Sequence, residues 1–212
     1  MAPTNRVRSC GDDLIDIDVA DATTAQTLAM NLRSSGEWLE VVAGIDSVVL
    51  RFDAVLEDAG DALQRASDSL DFRAAAASDV IDVVEIPVRY GNEGGPDIDE
   101  VCAQLGMPVD EFVALHTSGE YVVDMLGFTP GFAYISGLDE RMNVPRLAEP
   151  RVSVAAGSVG IADGRTGLYA MAGPGGWAII GHTDFALFDA QADEPFTLQP
   201  GMRIRFIAVD VS

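Results

Sequence analysis

Two histidines carry the titratable chemistry of this chain near neutral pH. His116 stands four residues before Glu120, at the predicted end of a helix. A carboxylate at that spacing can orient the imidazole, so the two residues would form a proton-handling pair. The alternative is that His116 only stabilises the helix terminus. His182 follows an apolar strand, and it either ends a barrel strand at the mouth of a pocket or begins a surface turn.

Arginine and glycine supply the groups that could bind an anion. Arg151 directly precedes a strand leading to Ala156-Gly-Ser158, and its planar guanidinium suits a carboxylate or a phosphate. The run Gly173-Pro-Gly-Gly-Trp177 could present successive backbone N–H groups to the same anion. Ser158 lacks the Gly-x-Ser-x-Gly setting of a nucleophile elbow, so it is not predicted to act as a nucleophile.

The charge of the chain limits its partners. A formal net charge of −21 repels phosphate backbones and anionic lipid, which argues against nucleic-acid and membrane binding. No apolar run reaches the roughly 18 residues of a membrane helix. Residues Met1–Gly11 contain no hydrophobic signal core, so we expect a soluble, cytoplasmic protein.

The residue types that are missing exclude several kinds of chemistry. All 13 basic residues are arginine, so a lysine Schiff base and a Walker-type lysine are both excluded. The two cysteines, Cys10 and Cys102, have no CxxC spacing and predict neither a disulfide nor a zinc site. Two separate histidines add no clustered ligands, so no metal site is predicted.

The first 80 residues alternate between strand and helix patterns. Their order, β-α-β-β-α-β, predicts an α+β domain with the ferredoxin-like arrangement. The predicted strands cover 12–19, 38–43, 47–53 and 80–89, and the predicted helices cover 22–34 and 59–76.

The second part of the chain combines short strands with abundant glycine. Twelve of the 21 glycines lie between Gly119 and Gly181. Glycine weakens a strand unless the backbone must turn sharply or approach another group closely, so this pattern predicts a closed β-barrel. We place the domain boundary between 1–84 and 85–212, with Asp97 as the N-cap of the first of two short helices. The predicted helices cover 98–105 and 109–117, and the predicted strands cover 121–126, 153–162, 166–171, 177–181 and 202–209.

Long motifs in this second part resemble one family. The signature GFxPGFxYLxGLDxR is similar to Gly127–Arg141, and PRxxVPAGSVxIA is similar to Pro150–Ala162. The motifs TGxY and SPGGWxxIG resemble Thr166–Tyr169 and Gly173–Gly181, and the opening EvPVxYGGxxGPDL resembles Glu85–Ile98. The family is the small subunit of prokaryotic ATP-dependent 5-oxoprolinase. It is also called allophanate hydrolase subunit 1, and it includes the KipI-type inhibitor of a sporulation histidine kinase.

The resemblance implies a fold and an activity. The fold would be a ferredoxin-like N-terminal domain followed by a cyclophilin-like β-barrel. The chain would be one subunit of an amidohydrolase that opens the lactam of 5-oxoproline to glutamate after ATP phosphorylates the lactam oxygen. ATP with Mg²⁺ would bind in the assembled complex. The partners would be a larger cyclophilin-like subunit and a third, TIM-barrel-like subunit, and the chain alone would be inactive.

The same resemblance suggests site residues. His116 and Glu120 would be the catalytic or orienting pair. Contacts to substrate or nucleotide are expected from Arg151, Gly157, Ser158, Gly175, Gly176, Trp177, His182 and Thr183.

The chain departs from the family pattern at one informative place. The family has Gly-Arg-Thr-Pro where this chain has Gly181-His-Thr-Asp184. Losing the arginine removes a fixed positive charge, and His182 restores that charge only when it is protonated. Two alternatives therefore stay open beside 5-oxoproline cleavage: an allophanate hydrolase subunit, and a KipI-like regulator without chemistry of its own.

Overall fold

The computed structural model of the chain describes residues 6–71, 83–193 and 195–209. The chain forms two compact units, Met1–Val80 and Ile81–Ser212. The predicted boundary after residue 84 falls inside a strand, Val83–Tyr90, that belongs to the second unit. The strand begins this early because Val83 and Val84 already pair with the last strand of the barrel.

The first unit contains a four-stranded antiparallel sheet in the order β1-β2-β4-β3. Its strands are β1 (Val7–Ser9), β2 (Leu14–Asp18), β3 (Glu40–Ala43) and β4 (Ser47–Arg51), and its helices are α1 (Ala22–Ser35) and α2 (Ala59–Asp68). Val48 and Leu50 of β4 are fully buried in one core with Ala25 and Ala29 of α1. The small alanine side chains let the helix lie close to the sheet, as the spacing of apolar residues predicted.

The predicted β-α-β-β-α-β order is not what this unit contains. The strand predicted over 80–89 is β5 (Val83–Tyr90) and lies in the barrel, where it pairs with the last strand through six residue pairs; residues 80–82 lie outside the described residues. The edge of the sheet is instead occupied by β1, which the sequence pattern did not predict. Arg8 of β1 forms ion pairs with Asp16 and Asp18 of β2. The predicted helix over 59–76 ends at Asp68, and residues 72–76 also lie outside the described residues.

Side-chain caps set the beginnings of both helices in this unit. The carboxylate of Asp21 accepts a hydrogen bond from the Thr24 N–H at 2.7 Å, and α1 begins directly after Asp21. The carboxylate of Asp58 likewise accepts a hydrogen bond from the N–H of Gly60 at the beginning of α2. A carboxylate at this position satisfies helix N–H groups that have no partner within the helix.

The second unit contains a closed barrel of seven strands, which confirms the predicted barrel. Besides β5, its strands are β6 (Tyr121–Leu126), β7 (Ala133–Ser136), β9 (Ser158–Ala162), β10 (Arg165–Leu168), β12 (Ala178–His182) and β13 (Arg203–Ala208). They follow each other around the barrel in the order β10-β7-β6-β13-β5-β12-β9. All neighbours are antiparallel except β5 and β13.

Two helices and a small second sheet accompany the barrel. Helices α3 (Ile98–Leu105) and α4 (Val109–Ser118) agree closely with the prediction. The strand predicted over 153–162 is two strands, β8 (Arg151–Val154) and β9, because the chain turns at Gly157 with φ +82. Strand β8 pairs with β11 (Gly173–Gly175) in a separate two-stranded sheet. No helix within 6–71, 83–193 and 195–209 is long and apolar enough to cross a membrane.

The barrel requires glycine where two segments come too close for a side chain. A Cβ on Gly137 would lie 2.1 Å from the carbonyl oxygen of Glu120, and the φ of Gly137 is +102. Gly164 also has a positive φ, +74, but its Cβ would meet nothing within 4 Å. We expect Gly164→Ala to cost about 1 kcal/mol of unfolding free energy from backbone strain alone. Gly137→Ala should cost about 3 kcal/mol, because a steric clash adds to the strain.

Urea-induced unfolding of both variants measures this difference. Equal losses in the two variants would show that the contact with Glu120 does not constrain Gly137.

Candidate functional site

His116 lies inside the barrel and is fully buried. Its Nδ1 is 2.7 Å from the hydroxyl of Tyr90, and its Nε2 is 3.3 Å from the hydroxyl of Thr166. Thr166 donates to the carbonyl of Gly160 at 3.1 Å, so its oxygen accepts from the Nε2–H of His116. Nδ1 then accepts from the Tyr90 hydroxyl. The ring packs against Phe206 with centroids 4.6 Å apart.

This environment fixes the protonation state of His116. Burial alone lowers the pKa of the imidazole from its ordinary value of 6.5 to about 3. Burial also raises the pKa of the Tyr90 hydroxyl well above its ordinary value. Both groups are therefore neutral at physiological pH and form a satisfied hydrogen-bond chain.

The predicted pair of His116 and Glu120 is not brought together. Glu120 is exposed, whereas both ring nitrogens of His116 face partners in the barrel interior. The prediction placed His116 at the end of a helix, four residues before Glu120. The helix instead buries the face that carries Phe112 and His116, because these residues are four apart and lie on one stripe.

Arg151 is held by Asp97, the residue predicted as the N-cap of α3. Its Nη2 donates to Asp97 at 2.5 Å, and the second oxygen of Asp97 accepts the N–H of Ile179 at 2.6 Å. Asp97 occupies the N-cap position of α3 but makes no side-chain cap hydrogen bond. The buried Nη1 of Arg151 has no hydrogen-bond partner among the described residues. Asp97 thus links β8 to β12, and Nη1 of Arg151 is enclosed by the protein.

The glycine-rich run predicted as an anion nest lies against Tyr169. A Cβ on Gly175 would lie 2.4 Å from the hydroxyl oxygen of Tyr169, so glycine is required for this close approach. The pKa of the Tyr169 hydroxyl is raised, mainly by burial. The carbonyl of Gly176 accepts from the N–H of Leu147 at 2.7 Å. A binding role for the backbone N–H groups of Gly175, Gly176 and Trp177 stays a prediction.

His182 lies at the end of β12, and both of its ring nitrogens have hydrogen-bond partners. Its Nε2 is 3.0 Å from the carbonyl oxygen of Ala156, which can only accept, so Nε2 carries the proton. Nδ1 then accepts from Nη2 of Arg89 at 3.2 Å. Arg89 lies directly across the β5–β12 ladder from His182. The fixed positive charge that position 182 lacks is therefore supplied from the neighbouring strand.

Asp184 completes this cluster. The Arg89 guanidinium donates to its two carboxylate oxygens at 2.6 and 2.9 Å. These hydrogen bonds hold the pKa of the Asp184 carboxyl below its ordinary value. The carboxylate itself remains largely in contact with solvent, with 72% of the side chain exposed.

An open pocket of about 300 Å³ lies beside this cluster. It is lined by Thr183–Phe188 together with Ala156, Gly157, Ala170 and His182. Gly157 donates to the carbonyl of Tyr169 and accepts from the N–H of Thr183, so these segments are fixed to each other. The pocket is at the lower end of the size range of small-molecule sites.

The structure divides the predicted binding residues into two groups. Gly157, His182 and Thr183 meet at the pocket, and Ser158 is buried directly across the strand ladder from His182. Arg151 lies opposite Gly175 on the small sheet of β8 and β11.

ATP with Mg²⁺, expected in the assembled complex, stays a prediction. Nowhere in the described ranges do three His, Cys, Asp or Glu side chains gather to hold a metal ion. A nucleotide-bound Mg²⁺ needs only one or two carboxylates beside the phosphates. The pocket of about 300 Å³ is small for a nucleoside triphosphate.

Sequence reasoning missed Arg89, Asp184, Tyr90 and Thr166. The strand pattern carried a signal for Arg89 and Tyr90. Adjacent residues of a strand point to opposite faces, so these two side chains had to lie on different sides of the barrel wall. Nothing in the sequence indicated that Thr166 would meet His116, since 50 residues separate them.

The buried imidazole predicts a specific loss of stability in acid. Because its pKa is lowered in the folded state, the unfolded chain binds this proton more readily between pH 6.5 and about 3. The contribution of the neutral imidazole to the free energy of unfolding is fully present above pH 6.5. It falls with decreasing pH, by about 2 kcal/mol at pH 5. His116→Gln cannot titrate, so the free energy of unfolding of the native chain should fall relative to this variant as the pH drops from 8 to 5.

Urea unfolding of both proteins across this range gives the measurement. Asp184 and the other carboxyls with lowered pKa values protonate below their ordinary value of 3.8, outside this window. Parallel curves for the two proteins would contradict a buried, neutral His116.

Comparison with known proteins places the chain in a family. A model described as the carboxyltransferase domain, subdomain C and D, matches residues 5–198. The B-type subunit of 5-oxoprolinase from Escherichia coli O157:H7 is 53% identical over 124 residues, which are 58% of this chain and 57% of that protein. The protein of the same name from Bacillus subtilis strain 168 is 47% identical over 127 residues, 60% of this chain and 53% of that protein. The matches therefore span little more than half the length of these relatives.

Solved structures agree in fold. TTHA0988 superposes with a TM-score of 0.80 at 30% identity, covering 98% of this chain and 41% of that chain. The conserved uncharacterized protein PH0987 from Pyrococcus horikoshii is 34% identical, covering 97% of this chain and 98% of that chain, with a TM-score of 0.59. The Kluyveromyces lactis urea carboxylase, at 18% identity and a TM-score of 0.76, shares the fold over 97% of this chain and 22% of that chain.

The family match extends over both units, and the relatives named as 5-oxoprolinase subunits confirm the resemblance found in the sequence motifs. The chain belongs to the family of the carboxyltransferase domain, subdomain C and D.

Proposed function

We propose that this chain is a subunit of an ATP-dependent amidohydrolase that opens the lactam of 5-oxoproline to glutamate. The observation that carries the proposal is the 53% identity to a protein named as a subunit of 5-oxoprolinase. Identity at this level over 124 residues preserves side chains as well as fold, so a shared role is favoured over a shared architecture alone.

The geometry favours a subunit that depends on partners. The predicted proton-handling pair is separated, and His116 is buried and neutral. What the second unit offers to a ligand is a small pocket beside Arg89 and His182, together with the partly exposed side chain of Arg151. These groups can bind and orient an anionic substrate.

The partners we propose are a larger cyclophilin-like subunit and a third, TIM-barrel-like subunit. In the assembled complex, these proteins together would hold ATP and Mg²⁺. The relatives support a multi-subunit enzyme, because their names describe them as subunits. The TTHA0988 chain, of which this chain covers 41%, carries further protein beside the matching part.

Reconstitution tests the proposal. The chain is co-expressed with the encoded larger subunit, the third subunit is added, and 5-oxoproline-dependent release of ADP is measured. Turnover that requires all three proteins is the expected result. Stable assembly without turnover of 5-oxoproline would contradict the proposed substrate, and the absence of assembly would contradict the role as a subunit.

Arg151 provides a prediction within that assay. If the exposed part of the Arg151 side chain contacts an anion, Arg151→Ala should lower turnover about a hundredfold, the usual effect of removing one positioned hydrogen-bond donor. Asp97→Asn is the matched control, since it weakens the same ion pair but keeps the arginine charge.

Both variants are first compared by thermal unfolding, and turnover is measured where each is folded. Equal turnover losses in the two variants would limit Arg151 to a structural role.

A further inference from the structure

The carboxylate of Asp184 binds the guanidinium of Arg89 as the carboxylate of a ligand would. Two nearly parallel hydrogen bonds, at 2.6 and 2.9 Å, join the guanidinium to both carboxylate oxygens. This fork-to-fork geometry is how arginine recognises a free carboxylate. Asp184 and His182 both line the open pocket, and both contact Arg89.

The guanidinium of Arg89 is also held by the ring of His182. His182 directs Nδ1 at Nη2 of Arg89 while its Nε2 donates to Ala156. Two glycines lie close to His182. A Cβ on Gly94 would lie 2.9 Å from the His182 Cβ, and a Cβ on Gly157 would lie 2.7 Å from Nε2. A side chain at either position would press on His182, so the glycines preserve its contact with Arg89.

The bond between Arg89 and Asp184 is of the kind that a competing ligand can replace. With 72% of its side chain exposed, Asp184 pairs in a solvated setting, where an ion pair adds little net free energy. Arg89 is less exposed, at 32%, and keeps its bond to His182 when Asp184 leaves. A ligand carboxylate would meet an arginine that is already oriented, which reduces the entropic cost of binding.

We propose that this pocket binds a small carboxylic acid whose carboxylate takes the place of Asp184 on Arg89, so that Asp184 acts as an internal competing ligand. In this arrangement Arg89 is a binding residue and His182 is a positioning residue. The inference rests on the proposed function only in naming 5-oxoproline, which carries a carboxylate beside its lactam, as the first ligand of this class. The site itself is argued from the geometry of this chain.

A binding experiment on the full chain tests the site without any turnover. Acetate, 5-oxoproline and 2-pyrrolidinone, a lactam without a carboxylate, are titrated while the backbone amide signals of Thr183 and Asp184 are followed by NMR. Acetate and 5-oxoproline should shift these signals with saturation, and 2-pyrrolidinone should not. Arg89→Gln should abolish saturable binding of both carboxylates.

Removing the internal competitor is the decisive variant. Asp184→Asn should tighten binding of both carboxylates about three- to fivefold, the strength of an exposed ion pair. Asp163→Asn is the matched control. It removes one negative charge from another exposed ion pair, with Arg146, and asparagine accepts the positive φ of position 163. The control should bind as the native chain does.

Three outcomes would overturn the inference: unchanged affinity in Asp184→Asn, equal tightening in Asp163→Asn, or saturable binding of 2-pyrrolidinone. Its failure is separable from that of the proposed function. Turnover of 5-oxoproline by the reconstituted complex without these binding effects would refute the site alone. Carboxylate binding through Arg89 without turnover of 5-oxoproline would refute the substrate alone.

Discussion

Strand β5 lies between a parallel partner, β13, and an antiparallel one, β12, and the barrel closes through these two ladders. Two polar clusters of the barrel unit depend on that position. Side chains of a strand alternate, so β5 sends Tyr90 inward to His116 and places Arg89 beside His182 on β12. One strand thereby supports two polar clusters with opposite environments, one dry and one open to solvent.

The interior cluster illustrates how burial decides chemistry. A histidine surrounded by apolar side chains loses its charge, since desolvation disfavours the protonated form and no nearby anion compensates. The hydrogen bonds with Tyr90 and Thr166 satisfy both ring nitrogens, so the polar group is accommodated in the core. The outer cluster keeps its charges because Arg89 and Asp184 neutralise each other and remain in contact with water.

Glycine does two separate jobs in the barrel unit. At Gly164 it allows a turn with positive φ, and nothing else is close. At Gly94 and Gly157 it removes a side chain so that two backbone segments can approach His182. The glycine content alone could not distinguish these roles, since both produce the same residue in the sequence. The second role explains why the pocket wall around His182 is so closely packed.

The sequence by itself determined the two-part organisation, the helices α1, α3 and α4, the barrel and the family motifs. Local periodicity and glycine placement depend on neighbours along the chain, so one sequence suffices to read them. Only the tertiary structure decided the partner of β5, because the choice between the first sheet and the barrel is a long-range pairing. The same holds for the site. His116 was separated from the nearby Glu120 and joined to Thr166, and Arg89 was brought to His182 from 93 residues away. Burial and strand register fixed these partners, and both are properties of the folded chain as a whole.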